Sequence, residues 1–180
     1  MSTHLILGGA RSGKSRYAEK LASQLELPVN YIATAQVYDE EFRQRVAHHQ
    51  ASRPSYWPTI EQPFNLGQCL LAHDLAGTTM IVDCLTLWLA QCICPDCVPQ
   101  DGQAKDPNCW QHEREQLLTA LPKLKANVFL VSNEVGMGIV PLGEINRQFQ
   151  DEQGRLNQAI AAIADKVSFV AAGLPIQLKG

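Results

Sequence analysis

No stretch of this chain stays apolar over the ~20 residues that a helix needs to cross a bilayer, and that absence excludes a helical membrane span. The opening Met1 to Ala10 lacks the basic n-region of a secretory leader and holds only Leu5-Ile6-Leu7 as an unbroken apolar run before the first glycine. Both absences predict a cytoplasmic location. A surplus of either charge is missing as well: 15 Lys and Arg stand against 18 Asp and Glu, for a formal net charge of -3, with the two signs mixed along the chain. Nucleic acid and anionic lipid require clustered Lys and Arg, so no nucleic-acid partner is expected and a small molecule fits better. Internal repeats and low-complexity tracts are also absent. What is present is a chain of 180 residues, 46% hydrophobic and 18% charged. That length suits one well-buried core and is short for two, which predicts a single domain over 1–180.

The six cysteines would suggest a disulfide framework in a small secreted chain, but without a leader they read as thiols or ligands. Cys92, Cys94, Cys97 and Cys109 are spaced irregularly, with no second C-x2-C pair. Free, partly buried thiols in a surface insertion fit that spacing better than a zinc site. Cys69 and Cys84 sit in apolar runs and read as core.

Apolar periodicity sets out the elements. Leu5-Ile6-Leu7 reads as a strand breaking into Gly8-Gly9, Lys14 to Glu26 as a helix stopped by Pro28, and Val29 to Ala33 as a second strand, together a βαβ unit. Asp39 to Ser52 has helical spacing, with Phe42, Val46 and His49 on one face, and residues 53–63 read as an ordered, proline-rich loop. Helices are predicted around Asn65 to Leu75, Leu85 to Ala90 and Trp110 to Lys125, and over the amphipathic region Leu142 to Lys166. Strands are predicted at Met80 to Asp83, Asn127 to Ser132, Val167 to Ala171 and Ile176 to Leu178. This alternation predicts a three-layer α/β fold with a mostly parallel sheet and an antiparallel edge near the C-terminus. Ligands of such folds collect at the carboxyl ends of the strands.

One strand end carries Gly8-Gly9-Ala10-Arg11-Ser12-Gly13-Lys14-Ser15, which matches G-x-x-x-x-G-K-[ST] between a strand and a helix. In a P-loop NTPase-like fold the backbone N–H groups of such a loop close around phosphates, the lysine reaches the β and γ phosphates, and the serine holds Mg²⁺. Asp83 ends an apolar strand, the usual place for a carboxylate serving Mg²⁺ directly or through water, although it could instead open the helix from Leu85. His48 and His49 stand together before Arg53-Pro54. A neutral histidine can attack phosphorus, and His49 shares the stripe of Phe42 and Val46.

Taken in order, GGARSGKSRYAE at 8–19, YIATAQ at 31–36, RVAHHQASRP at 45–54 and SNEVGMGIVP at 132–141 resemble the bifunctional adenosylcobinamide kinase/adenosylcobinamide-phosphate guanylyltransferase family, and the resemblance spans nearly the whole chain. It implies two reactions: transfer of the γ-phosphoryl group of ATP or GTP to adenosylcobinamide, then attack of a histidine on the α-phosphorus of GTP and passage of GMP to the new phosphate. It implies His49 as the guanylylated residue, with Ala33, Thr34, Ala35, Gln50, Ala51, Ser52, Arg53 and Glu61 as nucleotide contacts and Asp83 as the strand-end carboxylate. It also implies a homotrimer. Asp83 is one methylene shorter than the glutamate of some relatives, and the cysteine stretch 92–109 is not part of the family pattern. Two other readings compete: a P-loop kinase for another small alcohol, which leaves His48 and His49 idle, and a nucleotide-dependent metal-handling module built on the cysteines.

Overall fold

A computed structural model describes residues 1–36, 53–94, 106 and 108–180. Its strands are β1 (Thr3–Gly8), β2 (Val29–Ala33), β3 (Thr59–Glu61), β4 (Thr79–Asp83), β5 (Asn127–Asn133), β6 (Lys166–Ala171) and β7 (Leu174–Lys179). Its helices are α1 (Lys14–Gln24), α2 (Leu66–Ala72), α3 (Leu85–Ile93), α4 (Cys109–Ala120) and α5 (Glu144–Ile163), with a short 3-10 turn at Leu121–Lys123. The strands form one sheet in the order β3-β2-β4-β5-β1-β6-β7. Every neighbouring pair is parallel except β6 and β7.

The two-residue period of a strand divides the core between the faces of this sheet. Leu5 on β1, Ile32 on β2, Met80 and Val82 on β4 and Leu130 on β5 face one layer, where Trp88 and Leu89 of α3, Leu117 of α4 and Ile160 of α5 cover them. Ile6, Tyr31, Ile81, Phe129 and Val131 face the other, under Ala18 and Ala22 of α1. Strands buried on both faces must be apolar in succession, which is why Leu5-Ile6 and Met80-Ile81-Val82 read as unbroken runs and are all 0% exposed. Glycine permits one close helix contact: a Cβ on Gly67 of α2 would fall 2.7 Å from a backbone atom of Gln116 on α4. Glu113 of α4 then accepts from the backbone N–H groups of Asn65 and Leu66 at the start of α2 and from the Trp88 indole.

The expected layers, parallel sheet and antiparallel C-terminal edge are present, and several boundaries differ. Residues 53–63 are more than a loop: Thr59–Glu61 pairs with Tyr31–Ala33 as an edge strand. A strand this short, set between Pro58 and Pro63, cannot display a period, and the pairing follows from the sheet. The second helix is Leu66–Ala72, shorter than expected, because Thr78 and the turn before it close the chain towards β4. The third runs on to Ile93 and places Cys92 in the core, so the cysteine stretch does not begin as a surface insertion. Pro122 turns the end of the fourth helix into a 3-10 turn. The expected helix over Asp39 to Ser52, with His48 and His49, and Cys97 lie outside the described residues. Among the described residues no helix is long and apolar enough to cross a membrane, and no three His, Cys, Asp or Glu side chains cluster.

His4 is buried on β1 with Nε2 2.8 Å from Ser168 Oγ. Burial first, and Lys166 second, pull its pKa from 6.5 down to about 4. The unfolded chain therefore binds a proton in that window that the folded chain does not, so stability falls as pH drops from 6.5 towards 4. Thermal unfolding measured across this range is expected to show a shallower slope in His4→Asn than in the parent. Equal slopes would contradict the assignment.

Candidate active site

The phosphate-type loop forms where β1 ends at the centre of the sheet. Gly8 has no room for a side chain: a Cβ there would lie 2.5 Å from both Val170 O and Ser12 Oγ. Gly13, at the N-cap of α1, has φ 96°, a left-handed conformation that glycine adopts without steric cost. Ser12 N–H donates to Gly9 O at 3.2 Å, and Gly173 N–H donates to Ser12 O at 2.8 Å. The β6–β7 turn, with Ala172 and Gly173 both at positive φ, thus braces the loop from outside. Glu134 N–H donates to Gly8 O at 3.1 Å from the β5 side. The first N–H groups of α1 point into the loop with the positive end of the helix dipole.

Lys14, the first residue of α1, is 8% exposed and donates from Nζ to Gly9 O at 3.0 Å. Burial lowers its pKa, while Cys84 and Asp83 pull it back up. A desolvated ammonium beside a ring of backbone donors is a site for a polyanion. Ala10 and Arg11 lie exposed at the loop tip, and Ser15 is half-buried on the first turn of α1.

Across the strand ends, Asp83 accepts from the Tyr31 hydroxyl at 2.6 Å through Oδ2. The Arg53 guanidinium lies over the Tyr31 ring, 3.6 Å from its centroid. Glu19, one turn after Ser15 on α1, feels both Asp83 and Arg53. Burial, then the charge of Asp83, push Glu19 up to about 7 against the opposing pull of Arg53 and Arg16. Its Oε1 is buried and has no hydrogen-bond partner among the described residues. Burial and Asp83 likewise raise Tyr31, which keeps its phenol an O–H donor. Ser15, Glu19 and Asp83 together offer only hydroxyl and carboxylate oxygens, the donor set of a hard cation such as Mg²⁺.

The remaining expected contacts fall at the same end of the sheet, further along it. Thr34 is fully buried and donates from Oγ1 to Cys84 O at 2.7 Å, so its hydroxyl fixes the strand ends and does not face outward. Gln91 Nε2 donates to Thr34 O at 2.7 Å, and Gln36 N–H donates to Gln91 Oε1 at 2.7 Å. Ala33 and Ala35 are half-buried, and Glu61 is exposed opposite Ala33 on the edge strand. Four strand steps of about 4.8 Å separate β1 from β3, roughly 19 Å. The residues of the β1–α1 loop and the Ala33–Glu61 pair therefore lie several strands apart along the same end of the sheet, with Asp83 on the intervening strand β4. Gln50, Ala51 and Ser52 lie outside the described residues.

Glu19 and Tyr31 were not among the expected site residues. Their signals were present: Ser15 and Glu19 are four apart on a helix and share a face, and Tyr31 and Ala33 share a strand face.

Similarity to known proteins agrees with the geometry. The family model described as cobinamide kinase / cobinamide phosphate guanyltransferase matches residues 4–178. The bifunctional adenosylcobalamin biosynthesis protein CobP of Pseudomonas aeruginosa is 50% identical over 98% of this chain and 96% of its own length. The corresponding CobU protein of Escherichia coli is 37% identical over 97% and 98%. Among solved structures, the flagellar accessory protein FlaH from Methanocaldococcus jannaschii aligns with TM-score 0.53 at 14% identity, covering 99% of this chain and 78% of that one. A second solved structure, the ATPase domain of another protein, aligns with TM-score 0.50, also at 14% identity, over 93% and 68%. At that identity these two share the fold alone.

Removing the buried cation is expected to disable every nucleotide reaction of the site. Lys14→Ala is predicted to lower phosphoryl and nucleotidyl transfer at least about a hundredfold while circular dichroism shows a folded protein. A folded variant with near-normal rates would take the loop out of the chemistry.

Proposed function

Because the chain belongs to the cobinamide kinase / cobinamide phosphate guanyltransferase family, we propose that its two reactions share one surface at the carboxyl ends of the strands, acting within a single domain over 1–180. The protein is a bifunctional enzyme of adenosylcobalamin biosynthesis. The observation that carries the shared-surface reading is the buried Lys14 ammonium in the β1–α1 loop.

In the kinase step the acceptor hydroxyl of adenosylcobinamide attacks the γ-phosphorus of ATP or GTP. An oxygen–phosphorus bond forms, the bond to the nucleoside diphosphate breaks, and the hydroxyl proton passes to solvent. Negative charge on the transferring and departing oxygens is met by Lys14 and the N–H groups of residues 8–15, which hold their positions before the reaction begins. Ser15 and Asp83 would hold Mg²⁺, which when bound neutralises phosphate charge.

In the second step His49 attacks the α-phosphorus of GTP and pyrophosphate departs, leaving GMP on the histidine as a phosphoramidate. A phosphate oxygen of adenosylcobinamide phosphate then attacks the same phosphorus and frees the histidine, giving adenosylcobinamide-GDP. His49 lies in the sequence between Gln36 and Arg53, the described residues at the two ends of segment 37–52. Both ends are held at the strand-end surface, Gln36 by Gln91 and Arg53 over Tyr31. Ala33, Thr34, Ala35, Gln50, Ala51, Ser52, Arg53 and Glu61 are assigned to the guanine nucleotide. We assign the protein to the cytoplasm as a homotrimer with no nucleic-acid partner.

Direct attack of a substrate hydroxyl needs no protein nucleophile, whereas transfer through an intermediate does. His49→Ala is therefore expected to abolish guanylyl transfer while phosphorylation of adenosylcobinamide persists within a few-fold, and His48→Ala is expected to retain both. Loss of guanylyl transfer in His48→Ala alone would reassign the nucleophile. Normal guanylyl transfer in both variants would leave a simple kinase.

A further inference from the structure

Tyr31 touches two residues, Asp83 and Arg53, to which the proposed kinase and guanylyl-transfer steps give different roles. Its hydroxyl donates to Asp83 Oδ2 at 2.6 Å, and its ring carries the Arg53 guanidinium 3.6 Å from the centroid. The side chain itself has little freedom. It is 4% exposed, and its strand is paired on both sides, through Thr59 on β3 and Ile81 on β4. Its N–H donates to Pro58 O at 3.0 Å. A buried tyrosine requires a partner for its hydroxyl, and here that partner is the carboxylate at the end of β4.

We propose that Tyr31 is a positioning residue that couples the two halves of the site, its hydroxyl aiming the Asp83 carboxylate for phosphoryl transfer and its ring docking Arg53, assigned above to the guanine nucleotide. The inference rests on the reading of Asp83 as the carboxylate of the kinase centre. The contacts are chemically separable. A hydrogen bond from a phenol to a carboxylate fixes which oxygen remains available to a cation, and it disappears with the hydroxyl. The cation–ring contact needs only the aromatic face and survives in phenylalanine.

Tyr31→Phe is accordingly expected to slow the kinase kcat about tenfold, the scale of one charge-assisted hydrogen bond, with the nucleotide KM within about twofold. It is also expected to raise the Mg²⁺ concentration for half-maximal rate several-fold and to weaken Mn²⁺ binding to the GTP-loaded protein, read by electron paramagnetic resonance, by a similar factor. At saturating Mg²⁺, guanylylation of the protein by GTP in a single turnover is expected to stay within about twofold. Tyr31→Leu, which loses ring and hydroxyl together, is expected to impair both steps. Thermal unfolding of each variant establishes that it is folded. Asp83→Asn separates this proposal from the reading beneath it. If Asp83→Asn leaves the kinase rate normal, the reading of Asp83 is wrong. If Asp83→Asn disables the kinase but Tyr31→Phe changes neither kinase rate nor Mg²⁺ requirement, the proposal for Tyr31 is wrong. Equal losses of both steps in Tyr31→Phe would also overturn it. In Asp83→Asn the further change Tyr31→Phe is expected to add little loss, because the carboxylate charge that the hydroxyl aims is gone.

Discussion

The arrangement depends on an ammonium group taken out of water at the end of a central strand. A buried cation is unfavourable unless polar groups surround it, and Lys14 has the Gly9 carbonyl at 3.0 Å with the Asp83 carboxylate near enough to favour its charge. The loop that achieves this needs Gly8 pressed against Val170 and Gly13 in a left-handed conformation. It also needs β6 and its turn with β7 to brace it through Gly173. The last strand pair, remote in sequence, is thereby part of the site's construction. A triphosphate supplies the negative charge this geometry is shaped to receive.

A second tier of the site follows from the sheet order. Placing β4 and β2 on the far side of β5 carries Asp83 and Tyr31 towards the edge where β3 ends in Glu61. Helix α1 spans the gap, with Lys14 at its start and Glu19 one turn beyond Ser15, next to Asp83 and Arg53. Two carboxyl groups and an arginine packed around one tyrosine hold charge in balance: burial, and then the charge of Asp83 nearby, raise Glu19 to about 7. Perturbed pKa values of this kind cluster at functional sites.

The legible part of this site was the part whose geometry is local. Eight consecutive residues between a strand and a helix suffice to write a phosphate loop, and residues 8–15 form it. The strand-end position of Asp83 was legible for the same reason, since an apolar run ending in a carboxylate needs no distant partner to be read. The Tyr31–Asp83 hydrogen bond joins residues 52 apart in sequence, and only the pairing of β2 with β4 creates it. Edge strand β3 was hidden because its three residues lie between prolines. Cys92 looked like the start of an insertion because helix α3 ends among cysteines and prolines, yet it packs into the core. The assignment of His49 came from family resemblance, with helical phase as its only local support.

The central claim is that one nucleotide-binding surface runs a phosphoryl transfer and a covalent guanylyl transfer. Its most direct test is incubation of the protein with GTP labelled at the α-phosphate, without corrinoid acceptor, followed by denaturation. The account predicts label retained on the chain, lost in acid and stable in alkali, as a phosphoramidate behaves, and discharged when adenosylcobinamide phosphate is added before denaturation. Absence of label, or label that survives acid, would contradict it.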